Sequence, residues 1–574
     1  MWVIVCMCAL VSAALAQNTL TVNTTQGAVI GGKAEDGNYY GFYGLFYGGT
    51  TAGSNRFKAP TSPPAYPGAY HAMHNTNVMC AQPSSTGIIG DENCLTLNIF
   101  TSNVTNPKPV LVWLQSEQYT TSDPQLYSYQ KLVSEGIVVV TLNHRLSIFG
   151  FLCLGVSQAP GNAGLKDVIQ GLKWIQENIA GFGGDPNNVV LFGHGSGAAM
   201  VDLVTMSPLS ENLVHKAIAQ SGSALAPWAV AYDPIGSAHN LGIRLGYDMK
   251  SNTELAELLA DTDINLLASV LDESTFPNNT AMFAPCIENR NLNSSDTFLS
   301  DAPLNLLRSG NFRQIPYIAG YTNREGTLRA AEAVFFHWLE RMQANFTEFL
   351  PIDLDNTRNI TISNSIREYY FSQSAINMET IEDYLDYQGD ILILISVIRG
   401  AWERALTSTA DVRLYEFAYR GTRNSFWSYP SIPLNGVKHG GVLNYLLNFD
   451  LLPESEAVMT SLIRRYNIRN TSRLTTDFHV ISKTIASQNG ITFVFKDLLT
   501  FTPWITMYYY YTGDRTTPRT TFTEARVNPH QQRMTFWNGL YSQYYKNPTP
   551  VSSAGKIFSF ILTIFMSQLF VQLL

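Results

Sequence analysis

Residues Gly193-His194-Gly195-Ser196-Gly197 lie between an apolar run, Asn188-Val-Val-Leu-Phe192, and an apolar helical segment that begins at Ala198. A sharp turn from strand to helix, written Gly-x-Ser-x-Gly, lifts a serine hydroxyl above a sheet, where it can attack an acyl carbonyl. Here the middle position of the turn is Gly195, and the serine comes one place late. No other Gly-x-Ser-x-Gly occurs in the 574 residues. Ser196 is the displaced candidate nucleophile. One step along a starting helix turns a side chain by roughly 100°, so its hydroxyl is expected to cap backbone N–H groups at the helix start instead.

The elements around that turn read as alternating strands and helices. Leu95–Phe100 looks like a strand, and Pro109-Val-Leu-Val-Trp-Leu114 is a continuous apolar run of the kind found in a buried strand. Gly136–Leu142 is another such run, and Ala163–Ala180 carries apolar residues at helical spacing. The strand at 188–192 follows, and further strand-like runs appear at Ile315–Gly320 and Val412–Tyr419, with a more helical stretch between about 235 and 400. Asn18–Tyr70, rich in Gly, Tyr and Thr, reads as a hairpin region. Strand, helix, strand, helix at this spacing implies an α/β fold with a mostly parallel central sheet and helices on both faces. No linker separates independent domains.

Several longer motifs carry a resemblance. Gly181-Phe-Gly-Gly-Asp-Pro-Asn-Asn-Val-Val-Leu-Phe-Gly193, Glu92-Asn-Cys-Leu-Thr-Leu-Asn98, Asn143-His-Arg-Leu-Ser-Ile-Phe-Gly-Phe151 and Gln220-Ser-Gly-Ser223 are similar to the type-B carboxylesterase and cholinesterase family. So are Gly320-Tyr-Thr-Asn-Arg-Glu-Gly326, Gly436-Val-Lys-His-Gly440 and Arg533-Met-Thr-Phe-Trp-Asn538. The resemblance covers nearly the whole mature chain and implies the α/β-hydrolase fold. It also implies a Ser-Glu-His triad with its acid at Glu325, its base at His439 and its nucleophile at the position of Gly195.

The resemblance exposes a second loss. After Val110–Leu114 the family carries a His-Gly-Gly-Gly-like segment whose backbone N–H groups hold the oxyanion; this chain reads Gln115-Ser116-Glu117-Gln118-Tyr119. Glycine suits such a segment because the backbone must approach a substrate closely. Ser116, Glu117 and Gln118 put three side chains there instead, one of them a carboxylate, which is the wrong charge beside a developing oxyanion. Losing one oxyanion donor costs on the order of 3–4 kcal/mol in the barrier. With nucleophile and hole both gone, no catalytic residue is expected, and Glu325 and His439 are expected to persist as a buried structural pair. The chain then resembles cholinesterase-like adhesion molecules such as neuroligin, neurotactin, gliotactin and glutactin. The 80–94 loop contains no tryptophan, so the aromatic platform with which cholinesterases hold quaternary ammonium is missing.

The ends and the bulk composition place the chain. Residues 2–15 are apolar and Ala14-Leu15-Ala16 forms a small-x-small cleavage pattern, so 1–16 reads as a signal peptide. The mature unit is 17–551, and 552–574 is an apolar tail with small residues at Ser552-Ser553-Ala554-Gly555, read as a GPI-attachment signal. Sequons at Asn23, Asn103, Asn278, Asn293, Asn345, Asn359 and Asn470 fit export to the cell surface. Of the six cysteines, Cys6 and Cys8 leave with the signal peptide. Cys80 and Cys94 close a short Gly/Ser/Pro-rich loop suited to a disulfide, while Cys153 and Cys286 could form a second bridge or stay as thiols. A net charge of −8 with no basic block excludes nucleic acid as a partner. No cofactor and no metal are expected. The function implied is that of a non-catalytic, lipid-anchored surface protein engaged in adhesion or extracellular binding, with a homodimer and a protein partner as expectations. The alternatives are an ester hydrolase with displaced machinery and a binder of a small apolar ligand.

Overall fold

The computed structural model describes residues 18–551 except 76–77, 85–86, 125–126, 272–278, 293, 356–358, 421–434, 448–506, 515–521 and 528–529. The expected signal peptide 1–16, the tail 552–574 and the sequons Asn278, Asn293 and Asn470 lie outside the described residues. Asn23, Asn103 and Asn345 are exposed, and Asn359 opens the helix Asn359–Phe371. Among the described residues no helix is long and apolar enough to cross a membrane.

The amino-terminal hairpin consists of β1 (Thr19–Thr24) and β2 (Gly27–Lys33), followed by β3 (Tyr40–Phe46) and the short β4 (Tyr70–Ala72), β5 (Gln82–Ser84) and β6 (Gly87–Ile89). The central strands are β7 (Thr96–Thr101), β8 (Lys108–Leu114), β9 (Val138–Leu142), β10 (Gly184–His194), β11 (Lys216–Gln220), β12 (Tyr317–Thr322) and β13 (Val412–Arg420). β14 (Met507–Asp514) and β15 (Phe522–Val527) complete the far edge. The main sheet runs in the order β1-β2-β3-β7-β9-β8-β10-β11-β12-β13-β14-β15, with β4 beside β2, and β5 pairs with β6 apart from it. From β9 through β14 each pairing is parallel, and both ends of the sheet are antiparallel. The expected strands are therefore present within a few residues of their sequence bounds, β10 extending four residues earlier to Gly184.

The alternation along β8 shows why the sheet needs two coverings. Val110, Val112 and Leu114 enter the larger core, while Leu111 and Trp113 enter a second core on the other face. Helix α1 (Gln130–Ser134) supplies Leu132 and Val133 to the smaller core. On the larger side, α2 (Ala163–Asn178) supplies Leu165, Val168, Leu172 and Ile175. There α3 (Ser196–Met206) packs beside it, with α4 (Ile395–Thr407) contributing Val397, Ile398 and Ala401. The short α5 (Leu443–Leu446) returns to the smaller side. Strands buried on both faces read as unbroken apolar runs, which is the pattern the sequence shows.

Both cysteine pairs are bridged. Cys80–Cys94 forms as expected, and Cys153–Cys286 joins positions 133 residues apart. The second bridge sits against Gly161, where a Cβ would lie 2.5 Å from Cys286 Sγ. Beside it, the Asn162 side chain bonds the backbone N–H and carbonyl of Cys286 at 2.9 and 2.8 Å. That local fit, absent from any sequence spacing, decides the pairing.

Candidate active site

The elbow forms where β10 ends at His194 and α3 begins at Ser196. Gly195, between them, has φ +58° and ψ −124°, a backbone conformation that costs a non-glycine residue about 1–3 kcal/mol. The flanking glycines answer a different need: a Cβ on Gly193 would lie 2.3 Å from the Gly197 carbonyl oxygen, and one on Gly197 would lie 2.2 Å from that of Leu114. The turn is too tight for side chains there.

Glu325 and His439 come to this apex from separate loops. Glu325 follows β12 and opens a 3₁₀ turn, Glu325–Arg329. Its Oε1 accepts the Thr322 N–H at 2.7 Å and the Ser221 hydroxyl at 2.6 Å, and its Oε2 lies 2.6 Å from His439 Nδ1. The His439 loop is pinned by its own N–H donating to Thr327 Oγ1 at 2.9 Å and by the Val437 N–H donating to Asn323 Oδ1 at 2.7 Å. Nε2 of His439 therefore faces the elbow, and a Cβ on Gly195 would lie 3.6 Å from it. The acid and base of a triad are in place around a residue that has no side chain.

The 115–119 segment has a left-handed backbone although it contains no glycine. Gln118 and Tyr119 have φ of 54° and 63°. The Glu117 N–H donates to the Thr121 carbonyl at 2.8 Å, and the Thr120 and Thr121 N–H groups return to the Glu117 carbonyl. One expected oxyanion donor is thus consumed inside a turn. The Glu117 carboxylate points the other way: its Oε2 would lie 3.8 Å from a Cβ on Gly195.

Ser196 does not cap its helix, contrary to the expectation from sequence. Its hydroxyl donates to the Ser116 carbonyl at 2.8 Å, accepts the Tyr119 N–H at 3.1 Å and lies 3.0 Å from Ser116 Oγ. The helix start carries no side-chain cap. The reason is tertiary: the 116–119 loop lies directly over the first turn of α3, and its backbone groups need partners in a dry place. Ser196 is 3% exposed. Ser196→Ala is expected to destabilise the protein by about 1–3 kcal/mol, because the Tyr119 N–H is left unsatisfied; denaturant unfolding of the two proteins measures it. An unchanged midpoint would show that the loop does not depend on this hydroxyl.

Two carboxylates set the proton affinity of His439. Burial alone would lower the affinity of His439 for a proton, but Glu325 and then Glu117 outweigh it and hold the imidazole above the ordinary histidine range, against Arg329. Favouring the imidazolium strengthens His439 as a base; the Glu117 carboxylate opposes acyl transfer through the repulsion it exerts on a developing oxyanion. Glu117 is itself pushed above the usual carboxylate range by loss of solvent, with His439 opposing. That push is modest, since 41% of its side chain stays accessible.

A residue the sequence reading does not single out completes the picture. His194, at the end of β10, is 3% exposed, and neither ring nitrogen has a hydrogen-bond partner among the described residues. Burial, reinforced by the neighbouring His439, holds it well below the ordinary histidine range, so it is neutral. Its ring centroid is 4.5 Å from that of His439, and its Nδ1 is 4.0 Å from Glu117 Oε1. The only hint in sequence is its place next to the apex of the elbow.

Comparison with known proteins agrees with this architecture. The sequence profile described as the Carboxylesterase family matches residues 18–478. Esterase FE4 of Myzus persicae is 30% identical over 463 residues, 76% of this chain and 80% of its own length. Venom carboxylesterase-6 of Apis mellifera is 28% identical over 452 residues, 75% and 80% of the two chains. Among solved structures, juvenile hormone esterase from Manduca sexta, with OTFP covalently attached, superposes with a TM-score of 0.76 at 22% identity, covering 91% of this chain and 100% of that one. An elbow, an acid–base pair and the sheet that carries them, together with a family match over most of the sequence, place this chain in the carboxylesterase family.

Proposed function

We propose that this protein is a non-catalytic member of its family, held at the cell surface, where it binds a protein partner through its exterior. One observation carries the reading. At the apex of the elbow stands a residue without a side chain, and the Glu117 carboxylate reaches to 3.8 Å from where a Cβ would be, in the space an oxyanion would need. The resemblance of Gly195 to the nucleophile position of the cholinesterase-like adhesion molecules supports the adhesive role. The export signal, sequons and tail read from the sequence support the location. Among the described residues, the cavity beside the elbow, lined by Trp228, Leu328, Leu392 and Ile393, is about 20 Å³, room for little more than a water, and lends no support to a small apolar ligand there.

The test uses the full chain expressed on non-adherent cells. The expected results are release from the surface by a phosphatidylinositol-specific phospholipase, aggregation of expressing cells, and neither aryl-ester turnover above that of heat-inactivated protein nor labelling by a fluorophosphonate. A phosphonyl adduct recovered on Ser196, or on any hydroxyl lining the cleft, ends the non-catalytic reading. Dispersed cells, alone and mixed with cells of other types, end the adhesive one.

A further inference from the structure

Among the described residues, Glu117, His194 and His439 bring one carboxylate oxygen and two imidazole nitrogens within 4.8 Å of one another. We propose that these three side chains form a binding site for a divalent transition-metal ion, with zinc the ion their chemistry suits. Two imidazoles and a carboxylate are a zinc donor set that leaves a fourth position open, any proton on His439 Nε2 leaving as the ion binds.

The groups present need such an ion. His194 is buried with neither ring nitrogen partnered among the described residues, and a buried polar group without a partner is costly. A proton shared between His439 and Glu117 would leave His194 as it is; an ion gives it a bond. The nearest cation lining the cavity, Arg329, is taken by Glu332 at 2.7 Å. A doubly charged ion also balances the two carboxylates here, Glu117 and Glu325.

The surroundings are arranged for ligation. Glu325 Oε2 holds Nδ1 of His439 at 2.6 Å, which fixes the ring and leaves Nε2 as the donor facing the elbow. A carboxylate behind a ligating histidine is the usual outer partner in zinc sites. Gly195 keeps the center clear, because a serine there would put its side chain against His439 Nε2 and Glu117 Oε2. Ligands about 2.0–2.2 Å from a tetrahedral ion stand about 3.4 Å apart. The half-exposed Glu117 side chain can close the difference by rotating. The remaining coordination position faces the cavity, which admits water or an anionic oxygen. This inference does not depend on the adhesive role: a metal could bind whether or not the protein has a surface partner.

The experiment is metal titration of the full-length protein, purified without a histidine tag and stripped with a chelator. Cobalt(II) alone is expected to give the intense visible bands of a low-coordinate site, saturating at one ion per chain, and zinc alone to bleach them. His194→Ala and Glu117→Gln are expected to abolish the bands and weaken zinc binding at least about 100-fold; Glu325→Gln, acting through His439, is expected to weaken it about 10–100-fold. The chain has ten histidines, so a surface site must be excluded. Absence of the bands, or zinc binding unchanged in His194→Ala, overturns the proposal. Should His194→Ala fail to fold, Glu117→Gln decides, since it alters a half-exposed side chain: undiminished zinc binding in it overturns the site.

Discussion

Gly195→Ser is expected to leave aryl-ester hydrolysis at the background of the parent protein. The same change combined with Glu117→Gly and Gln118→Gly is expected to raise it by at least about 10³-fold. The new hydroxyl would meet a correctly held base, because a Cβ at 195 lies 3.6 Å from His439 Nε2 and Glu325 already orients that ring. It would also meet the Glu117 carboxylate, which repels the developing oxyanion. The Glu117 N–H meanwhile stays tied to the Thr121 carbonyl. Each oxyanion donor is worth about 10²–10³ in rate, so a nucleophile alone recovers little. Glycine at 117 and 118 removes the charge and lets the segment re-aim its N–H groups. The assays belong in chelator, so that a bound metal does not contribute. Robust turnover by Gly195→Ser alone would show that the 115–119 segment still stabilises an oxyanion. The single mutant should also lose about 1–3 kcal/mol of stability, from a side chain at φ +58°.

The second large effect lies behind the elbow. Asp202, on α3, accepts from Arg404 Nη2 at 2.7 Å, from the Ala224 N–H at 2.8 Å and from Ser223 Oγ at 3.2 Å. Both partners of the ion pair are almost fully buried, 1% and 2% exposed, and the guanidinium also stacks on Phe312 and Tyr317. Asp202→Ala is expected to cost about 3–5 kcal/mol, because Arg404 is then a buried charge without its counter-ion. Replacing both, as Asp202→Leu with Arg404→Met, is expected to recover much of that loss, since apolar residues of similar volume need no counter-ion. Denaturant unfolding of the three proteins provides the comparison. A loss below about 1 kcal/mol in Asp202→Ala would show that water reaches the guanidinium. Asp202 matters to the site because its bonds to Ser223 and Ala224 tie the elbow helix to the loop after β11, where Gly222 packs against the Gly195 carbonyl oxygen.

The fate of the nucleophile was legible in the sequence because an elbow is a local device: five consecutive residues between a strand and a helix name the position, and glycine there has no reacting atom. The central strands were legible for a similar reason, since burial on both faces leaves an unbroken apolar run such as Pro109–Leu114. The short Cys80–Cys94 loop also announced its own closure. Other features depend on what the sheet brings together. Ser196 reads locally as a helix cap, yet its partners are Ser116 and Tyr119, which the pairing of β8 with β10 carries over the helix start. Cys153 finds Cys286 across 133 residues. Glu117, His194 and His439 come from three segments that share no periodicity and meet only where β8, β10 and the loop after β13 converge. Sequence alone determined the family, the sheet and the absent serine, because each is written in contiguous residues. Only the tertiary structure decided which polar groups face one another at the emptied apex, because distances between remote segments are set by packing and leave no mark in local pattern.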